Sequence, residues 1–162
     1  MLKGEKPQSS VDPRRSMGIN LEAIKRSSHT CSGVSIFGLS GSMTPIKHIC
    51  GTPFASEFEN KILFLEDRGE APYRIDRMLV HMALAGCFKG LSGIILGTFE
   101  ECGPIEEVIK IIVEVFEKYS IPILAGLDAG HGRHNLTILL GIEATLDADR
   151  HSLIYHRAAT TG

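Results

Sequence analysis

The sequence lacks the features that mark membrane, secreted and nucleic-acid-binding proteins. No apolar run approaches the ~20 residues that a transmembrane helix needs. The opening stretch MLKGEKPQSSVDPRRS has no apolar segment, which predicts that it is not a signal peptide. A net charge of -2 gives no electrostatic reason to bind nucleic acid or an anionic membrane. We therefore expect a cytoplasmic protein that binds neither.

Paired cysteines are also lacking. The four cysteines are scattered with no C-x-x-C pair, which favours reduced thiols over a disulfide framework. With 162 residues, 43% of them hydrophobic and 22% charged, the chain is long enough for one domain with a full core and too short for two. Residues 1–30 are polar, basic and interrupted by proline and glycine. We expect them to form a mobile leader before one folded domain over residues 31–162.

Hydrophobic patterning predicts an α/β fold. Residues 61–66, KILFLE, present two faces that are both apolar, which is typical of a strand inside an α/β sheet. Further strands are predicted at 34–38, 91–97 and 121–127. Apolar residues at helical spacing follow Pro72 and Pro104, and proline suits the first turn of a helix. Residues 135–157 are predicted to form an antiparallel hairpin around the turn DADRH. The result is a single domain with a mixed sheet flanked by helices.

The segment between the first two strands carries no recognisable nucleophile. It is predicted to hold a glycine-rich turn, GLSGSMT at 38–44, then a short helix over 43–50 and a loop over 51–60. The turn lacks the Gly-Lys-Ser/Thr of a phosphate loop and the G-x-S-x-G of a nucleophile elbow. Ser40 and Ser42 are therefore not credible nucleophiles.

Carboxylates follow the strand KILFLE directly. Glu66 shares a strand face with Ile62 and Phe64, so we expect its carboxylate to be buried and to need a dedicated hydrogen-bond partner. Asp67 and Glu70 are interpreted as caps of the helix that follows.

Histidines follow the fourth predicted strand, in the loop LDAGHGRHN. Glycines flank His131 on both sides, which lets the backbone approach closely and orient the imidazole. The alternative for His131 and His134 is a solvated side chain, and Asp128 is a competing partner for either. A zinc site built from both histidines with Cys102 or Glu66 is a weaker interpretation, because no H-E-x-x-H or C-x-x-C accompanies them.

A carboxylate and a histidine are thus predicted at the ends of two strands, where α/β sheets place their sites. Glu66 and His131 would supply two thirds of a Ser-His-Glu arrangement. The serine is missing from the pattern.

Three long blocks of the sequence resemble one family. They are GTPFASEFENKILFLEDRGEAPYRIDRML, LAGCFKGLSGIILGTFEEC and IPILAGLDAGHGRHNLTILLGIEATLDAD, and the resemblance runs from about Gly38 to Tyr155. In these blocks the chain is similar to the C-terminal domain of the LD-carboxypeptidases. These are the muramoyltetrapeptide carboxypeptidases, to which the microcin-immunity peptidases are related. The resemblance implies a swivelling β/β/α domain.

The resemblance also implies roles for two residues. The family's enzymes carry a serine nucleophile in an N-terminal domain, and their C-terminal domain supplies the glutamate and histidine of a Ser-Glu-His triad. These fall on Glu66 and His131. Glu66 is chosen over Glu70 because the microcin-immunity branch keeps the Glu-Asp pair but not the later acid. His131 would take the serine proton and later protonate the leaving group, while Glu66 would hold its tautomer.

The chain departs from the family pattern in three places. Leu140 stands where family members have the proline of Leu-Pro-x-Gly, and residues 40–43 read Ser-Gly-Ser-Met instead of Gly-Gly-Asn-Leu. The nucleophile domain, roughly half of a family enzyme, is expected to be absent from this chain.

The function expected from the resemblance is that of the His/Glu domain of a serine-type LD-carboxypeptidase. Such an enzyme releases terminal D-alanine from murein tetrapeptides in peptidoglycan recycling, without a cofactor. We expect this chain to be inactive alone, with a separate nucleophile-domain chain or a second copy of itself as candidate partners. The alternative is a non-catalytic truncated remnant or a dimeric binding module.

Overall fold

The fold is seen in a computed structural model that describes residues 10–11, 30–39, 52 and 58–156. Within these residues the chain forms one sheet of seven strands and two α-helices. In chain order the elements are β1 (Ser10–Val11), β2 (Thr30–Leu39), β3 (Lys61–Arg68), α1 (Pro72–Leu84), β4 (Gly93–Glu100), α2 (Ile105–Phe116), a 3-10 turn (Glu117–Tyr119), β5 (Ile123–Leu124), β6 (Glu143–Asp147) and β7 (Ser152–Tyr155). The predicted helix over 43–50 and most of the predicted loop over 51–60 lie outside the described residues.

The sheet is mixed, as the patterning predicts. Its strand order is β1-β7-β6-β2-β3-β4-β5. Strands β2 to β5 run parallel, and β6, β7 and β1 are added by antiparallel pairing. The carboxyl ends of β3, β4 and β5 therefore meet at one edge, where loops can carry a site.

Both helices cover one face of the sheet. Leu63 and Leu65 of β3 face them, in a helix-side core with the buried residues of α1 and α2. In α1, Ile75, Met78, Leu79 and Met82 of the apolar stripe are buried and Ala83 is partly buried. In α2, Val108, Ile112 and Phe116 are buried, and Ile105 and Ile109 are partly buried. Helix α1 begins at Pro72, as predicted.

The capping roles predicted for Asp67 and Glu70 are wrong. The N-cap of α1 is Ala71, which forms no side-chain cap hydrogen bond, and the first turn contains no acidic residue. Glu70 instead lies 3.5 Å from Arg74 one turn later, and Asp67 accepts a 2.8 Å bond from the backbone N–H of Arg68.

The opposite face is covered by the sheet itself. Ile62 and Phe64 belong to a hairpin-side core with Leu146 of β6, Leu153 of β7 and residues of the segment that follows β5. A Cβ on Gly93 of β4 would lie 2.9 Å from the Leu146 side chain, although β2 and β3 separate β4 from β6 in the sheet. The sheet must therefore curl so that its hairpin end packs back over the parallel strands.

Several strand boundaries differ from the prediction. Strand β2 begins at Thr30 rather than at 34, β3 ends at Arg68 rather than at 66, and β4 covers Gly93–Glu100 rather than 91–97. The strand expected at 121–127 is regular only over Ile123–Leu124, because Pro122 has no N–H to donate and Gly126 adopts a positive φ of 87°. The Pro122 carbonyl and the Leu127 N–H still bond the backbone of β4. The hairpin's first strand begins at Glu143 rather than at 135, after an irregular segment.

The predictions for the N-terminal segment, the cysteines and membrane spanning concern other described parts of the chain. Ser10–Val11, inside the predicted leader, pairs with β7, and most of residues 1–30 lies outside the described residues. Cys31, Cys87 and Cys102 are free thiols. Neither of the helices described has the length and apolar character that a membrane crossing requires.

Candidate functional site

The structure brings Glu66 and His131 together. The Oε2 atom of Glu66 lies 2.7 Å from Nδ1 of His131, across 65 residues of sequence. The Glu66 side chain has no exposed surface, whereas 40% of the His131 side chain is exposed. A carboxylate can only accept, so Nδ1 carries the proton and donates it. Nε2 is then the ring nitrogen left to meet a reacting group.

Strand ends create this pairing. Glu66 lies near the carboxyl end of β3, on the hairpin side with Ile62 and Phe64, as the alternation predicts. His131 lies in the loop after β5, and this loop returns along β4, where the Leu127 N–H donates to Leu96. Parallel strands thus deliver the two side chains to one edge of the sheet.

Gly130 allows the close approach that the sequence predicts for the glycines of this loop. Its φ is 121°, and a Cβ built on it would lie 2.6 Å from Glu66 Oε2 and 2.7 Å from Thr98 Oγ1. Its N–H donates to Oδ1 of Asn135 at 3.1 Å. Only glycine fits between the glutamate and the backbone of the histidine loop.

His131 opens onto a cleft of about 470 Å³. Phe64 and Leu140 contribute apolar surface, and half of Leu140 is exposed. The described residues that line the cleft are Phe64, Ala129, Gly130, His131, Asn135, Leu136, Thr137, Ile138 and Leu140. This described lining contains no serine or cysteine, and its one side-chain hydroxyl is that of Thr137.

The bond between Glu66 and His131 involves neither His134 nor Cys102, the other sequence candidates. His134 is exposed. Burial raises the pKa of the Cys102 thiol, and the charges of Asp67 and Glu70 add to this effect. Cys102 is therefore held as a neutral thiol, which is a poor nucleophile and metal ligand. No cluster of three His, Cys, Asp or Glu side chains suited to a metal ion occurs among the residues described.

Thr98 is a site residue that sequence patterning does not reveal. Its side chain is buried, and its hydroxyl contacts the backbone on both sides of His131. A threonine in an apolar strand gives no signal of such a role.

Sequence comparison assigns the chain to a family. The LD-carboxypeptidase C-terminal domain matches residues 38–146, which is most of the chain. The protein therefore belongs to the LD-carboxypeptidase family, as the resemblance in its sequence blocks predicts.

Named relatives support this assignment. A Synechocystis protein assigned to the carboxypeptidases is 36% identical over 122 residues, which cover 72% of this chain and 40% of the relative. The murein tetrapeptide carboxypeptidase of Pseudomonas aeruginosa is 31% identical over 117 residues, covering 69% of this chain and 38% of that enzyme. The chain thus spans less than half the length of these relatives.

Solved structures share the fold. The muramoyltetrapeptide carboxypeptidase of Oxalobacter formigenes superimposes with a TM-score of 0.62 at 24% identity, over 83% of this chain and 51% of that one. The microcin C7 self-immunity protein MccF gives a TM-score of 0.69 at 25% identity, over 84% of this chain and 41% of MccF. The mixed, curled sheet is therefore the fold of this family's C-terminal domain.

Proposed function

We propose that this chain supplies the histidine and glutamate of a serine-type LD-carboxypeptidase. The substrate would be a murein tetrapeptide in the cytoplasm, and the reaction would release its terminal D-alanine during peptidoglycan recycling. The observation that carries the proposal is the 2.7 Å bond from His131 Nδ1 to the fully buried Glu66. A relative that matches this chain is a murein tetrapeptide carboxypeptidase.

Each residue has a defined part in the proposed reaction. In this reaction, Nε2 of His131 takes the proton from a serine hydroxyl as the serine oxygen attacks the peptide carbonyl. The resulting imidazolium is stabilised by the Glu66 carboxylate. His131 then gives the proton to the nitrogen of the departing D-alanine, and an acyl-serine forms. Water attacks this ester in the same way, with His131 again taking and returning a proton.

The serine would come from another domain or chain. The described lining of the cleft contains no serine. MccF has been solved as an active-site mutant in which a serine, an asparagine and a lysine are replaced by alanine. This chain alone is then inactive. A homodimer, which the family resemblance implies, stays a prediction.

The proposal is tested by supplying the missing half. The chain is mixed with a separately produced serine-bearing N-terminal domain of a family member, and D-alanine release from murein tetrapeptide is measured. We expect release only from the mixture, and none when His131→Gln replaces the wild-type chain. No release from a mixture that forms a complex would contradict the proposal and favour a binding module.

A further inference from the structure

The strand that carries Thr98 is irregular beside Glu66. The register of β3 against β4 shifts by one residue between Leu65 and Asp67. Glu66 alone therefore lies opposite two residues of β4, Gly97 and Thr98. This is a β-bulge in a parallel pair, where bulges are rare, and bulges are over-represented next to active sites because they re-aim a side chain.

The bulge changes which face Thr98 occupies. Leu96 and Phe99 both belong to the helix-side core, although strict alternation would place Leu96 and Thr98 on one side and Phe99 on the other. Thr98 instead lies against the histidine loop, where a Cβ on Gly130 would meet its hydroxyl at 2.7 Å. One extra residue in β4 has turned a hydroxyl toward the Glu66 side of the sheet.

Thr98 binds the backbone on each side of His131. Its N–H donates to the Ala129 carbonyl at 2.9 Å, and its hydroxyl donates to the same carbonyl at 3.3 Å. The hydroxyl oxygen also accepts the Gly132 N–H at 3.1 Å. Thr98 is only 2% exposed, so water cannot readily replace these bonds. Ala129 and Gly132, which lie on either side of Gly130 and His131, are thus both bonded to the Thr98 side chain.

We propose that Thr98 is a positioning residue that holds the His131 turn so that Nδ1 faces Glu66. This inference rests on the proposed function, since it assigns Thr98 a part in the same site. The hydrogen bonds of Thr98 go to the backbone of Ala129 and Gly132, so it acts through the backbone of residues 129–132. Its hydroxyl should matter more than its methyl group.

The first test uses the chain alone and needs no nucleophile or substrate. In ¹⁵N-labelled protein, NMR should detect a slowly exchanging Nδ1–H proton of His131 in the wild type. We expect Thr98→Ser to keep this signal and Thr98→Val and Thr98→Ala to lose it. Thr145→Val is the matched control. It removes a hydroxyl that bonds Ser32 of β2 and His156 after β7, and not the histidine loop. It should keep the signal.

Several outcomes would overturn the inference. They are an absent signal in the wild type, a retained signal in folded Thr98→Val, and loss of the signal in folded Thr98→Ser. Unfolding of both Thr98→Val and Thr98→Ala would also overturn it, because the hydroxyl would then hold the domain rather than the turn.

A second test measures D-alanine release in the mixture with the serine-bearing domain. Thr98→Val should lower kcat by up to about 100-fold with little change in KM, because a misplaced general base slows chemistry more than binding. Thr98→Ser should restore kcat. If the NMR results hold and even the wild-type mixture is inactive, the positioning role stands and the proposed reaction fails.

Discussion

Burial makes Glu66 an effective partner for His131. A carboxylate without exposed surface has lost its hydration, which costs several kcal/mol unless hydrogen bonds replace it. The imidazole N–H supplies one such bond, and this bond orients the ring. The buried surroundings also strengthen the attraction between the carboxylate and an imidazolium.

Gly130 is the residue whose substitution should disturb this pair most directly. Gly130→Ala places a Cβ 2.6 Å from Glu66 Oε2 at a φ of 121°, so the glutamate or the histidine loop must move. We expect loss of the His131 Nδ1–H signal and a cost of about 2–4 kcal/mol in the free energy of unfolding. Urea unfolding and NMR measure the two effects.

Gly33→Ala is the control for Gly130→Ala. Gly33 also has a positive φ, 72°, but a Cβ added to it would meet no atom of the described residues within 4 Å beyond its own chain neighbours. Gly33→Ala should therefore cost only the backbone strain, about 1–2 kcal/mol, and leave the His131 signal intact. Equal effects of the two substitutions would contradict the close approach at Gly130.

Cys31 gives the protein a predictable response to high pH. Burial raises the pKa of its thiol from 9.0 to about 11. The folded state thus prefers the protonated thiol, so this contribution to stability is complete below pH 9.0 and is lost as the pH rises toward about 11. Urea unfolding of wild type and Cys31→Ala at both ends of this range should reveal a smaller loss in the variant. Equal losses of stability in the wild type and in Cys31→Ala would show that the Cys31 thiol is not the cause.

At the residue scale, the sequence carried clear signals for the central pair. Glu66 shares a strand face with apolar residues, and His131 stands between two glycines, so each could be identified separately. Their position at the ends of two strands followed from the pattern, and the family resemblance then assigned both to one triad. Thr98 could not be found in this way, because the bulge that turns it depends on how β3 and β4 are paired.

At the scale of elements, α1 shows how patterning fixes a helix. Leu79 is fully buried against the sheet and α2, whereas Leu84 on the same helix is 83% exposed. Leu79→Ala should lower the free energy of unfolding by about 2–5 kcal/mol, because it leaves a cavity in the helix-side core. Leu84→Ala should change it by less than about 0.5 kcal/mol. Similar values in urea unfolding would show that α1 does not pack as described.

Helices and central strands were predictable because their periodicity records burial. The bounds of strand β5 and the start of β6 were not predictable, since a strand also needs backbone hydrogen bonds to a neighbouring strand. Pro122 and the positive φ of Gly126 limit β5 to Ile123–Leu124. The segment over 135–142 is apolar because it lines the cleft and packs against the hairpin-side core. Its hydrophobicity therefore resembles that of a strand, although the segment is irregular and bonds β2 through the backbone of Gly141 and Ile142.

At the scale of the whole molecule, the curl of the sheet could not be predicted from the sequence. Patterning indicates that Ile62 and Phe64 are buried, but not that the β6–β7 hairpin covers them. The small size of Gly93 allows Leu146 to pack across the sheet from the far side of two strands. This curl leaves one edge open, and Glu66 and His131 lie there beside the cleft.

The central claim is that this chain provides the Glu66–His131 pair of a carboxypeptidase. The most direct measurement is D-alanine release by a single polypeptide in which residues 30–156 replace the matching domain of the Pseudomonas aeruginosa enzyme. We predict an active chimera whose kcat falls by about 10⁴-fold or more with Glu66→Gln or His131→Gln. The neighbouring changes Glu70→Gln and His134→Gln should leave most of the activity. A folded chimera without activity, or one that keeps its kcat after Glu66→Gln, would contradict the claim.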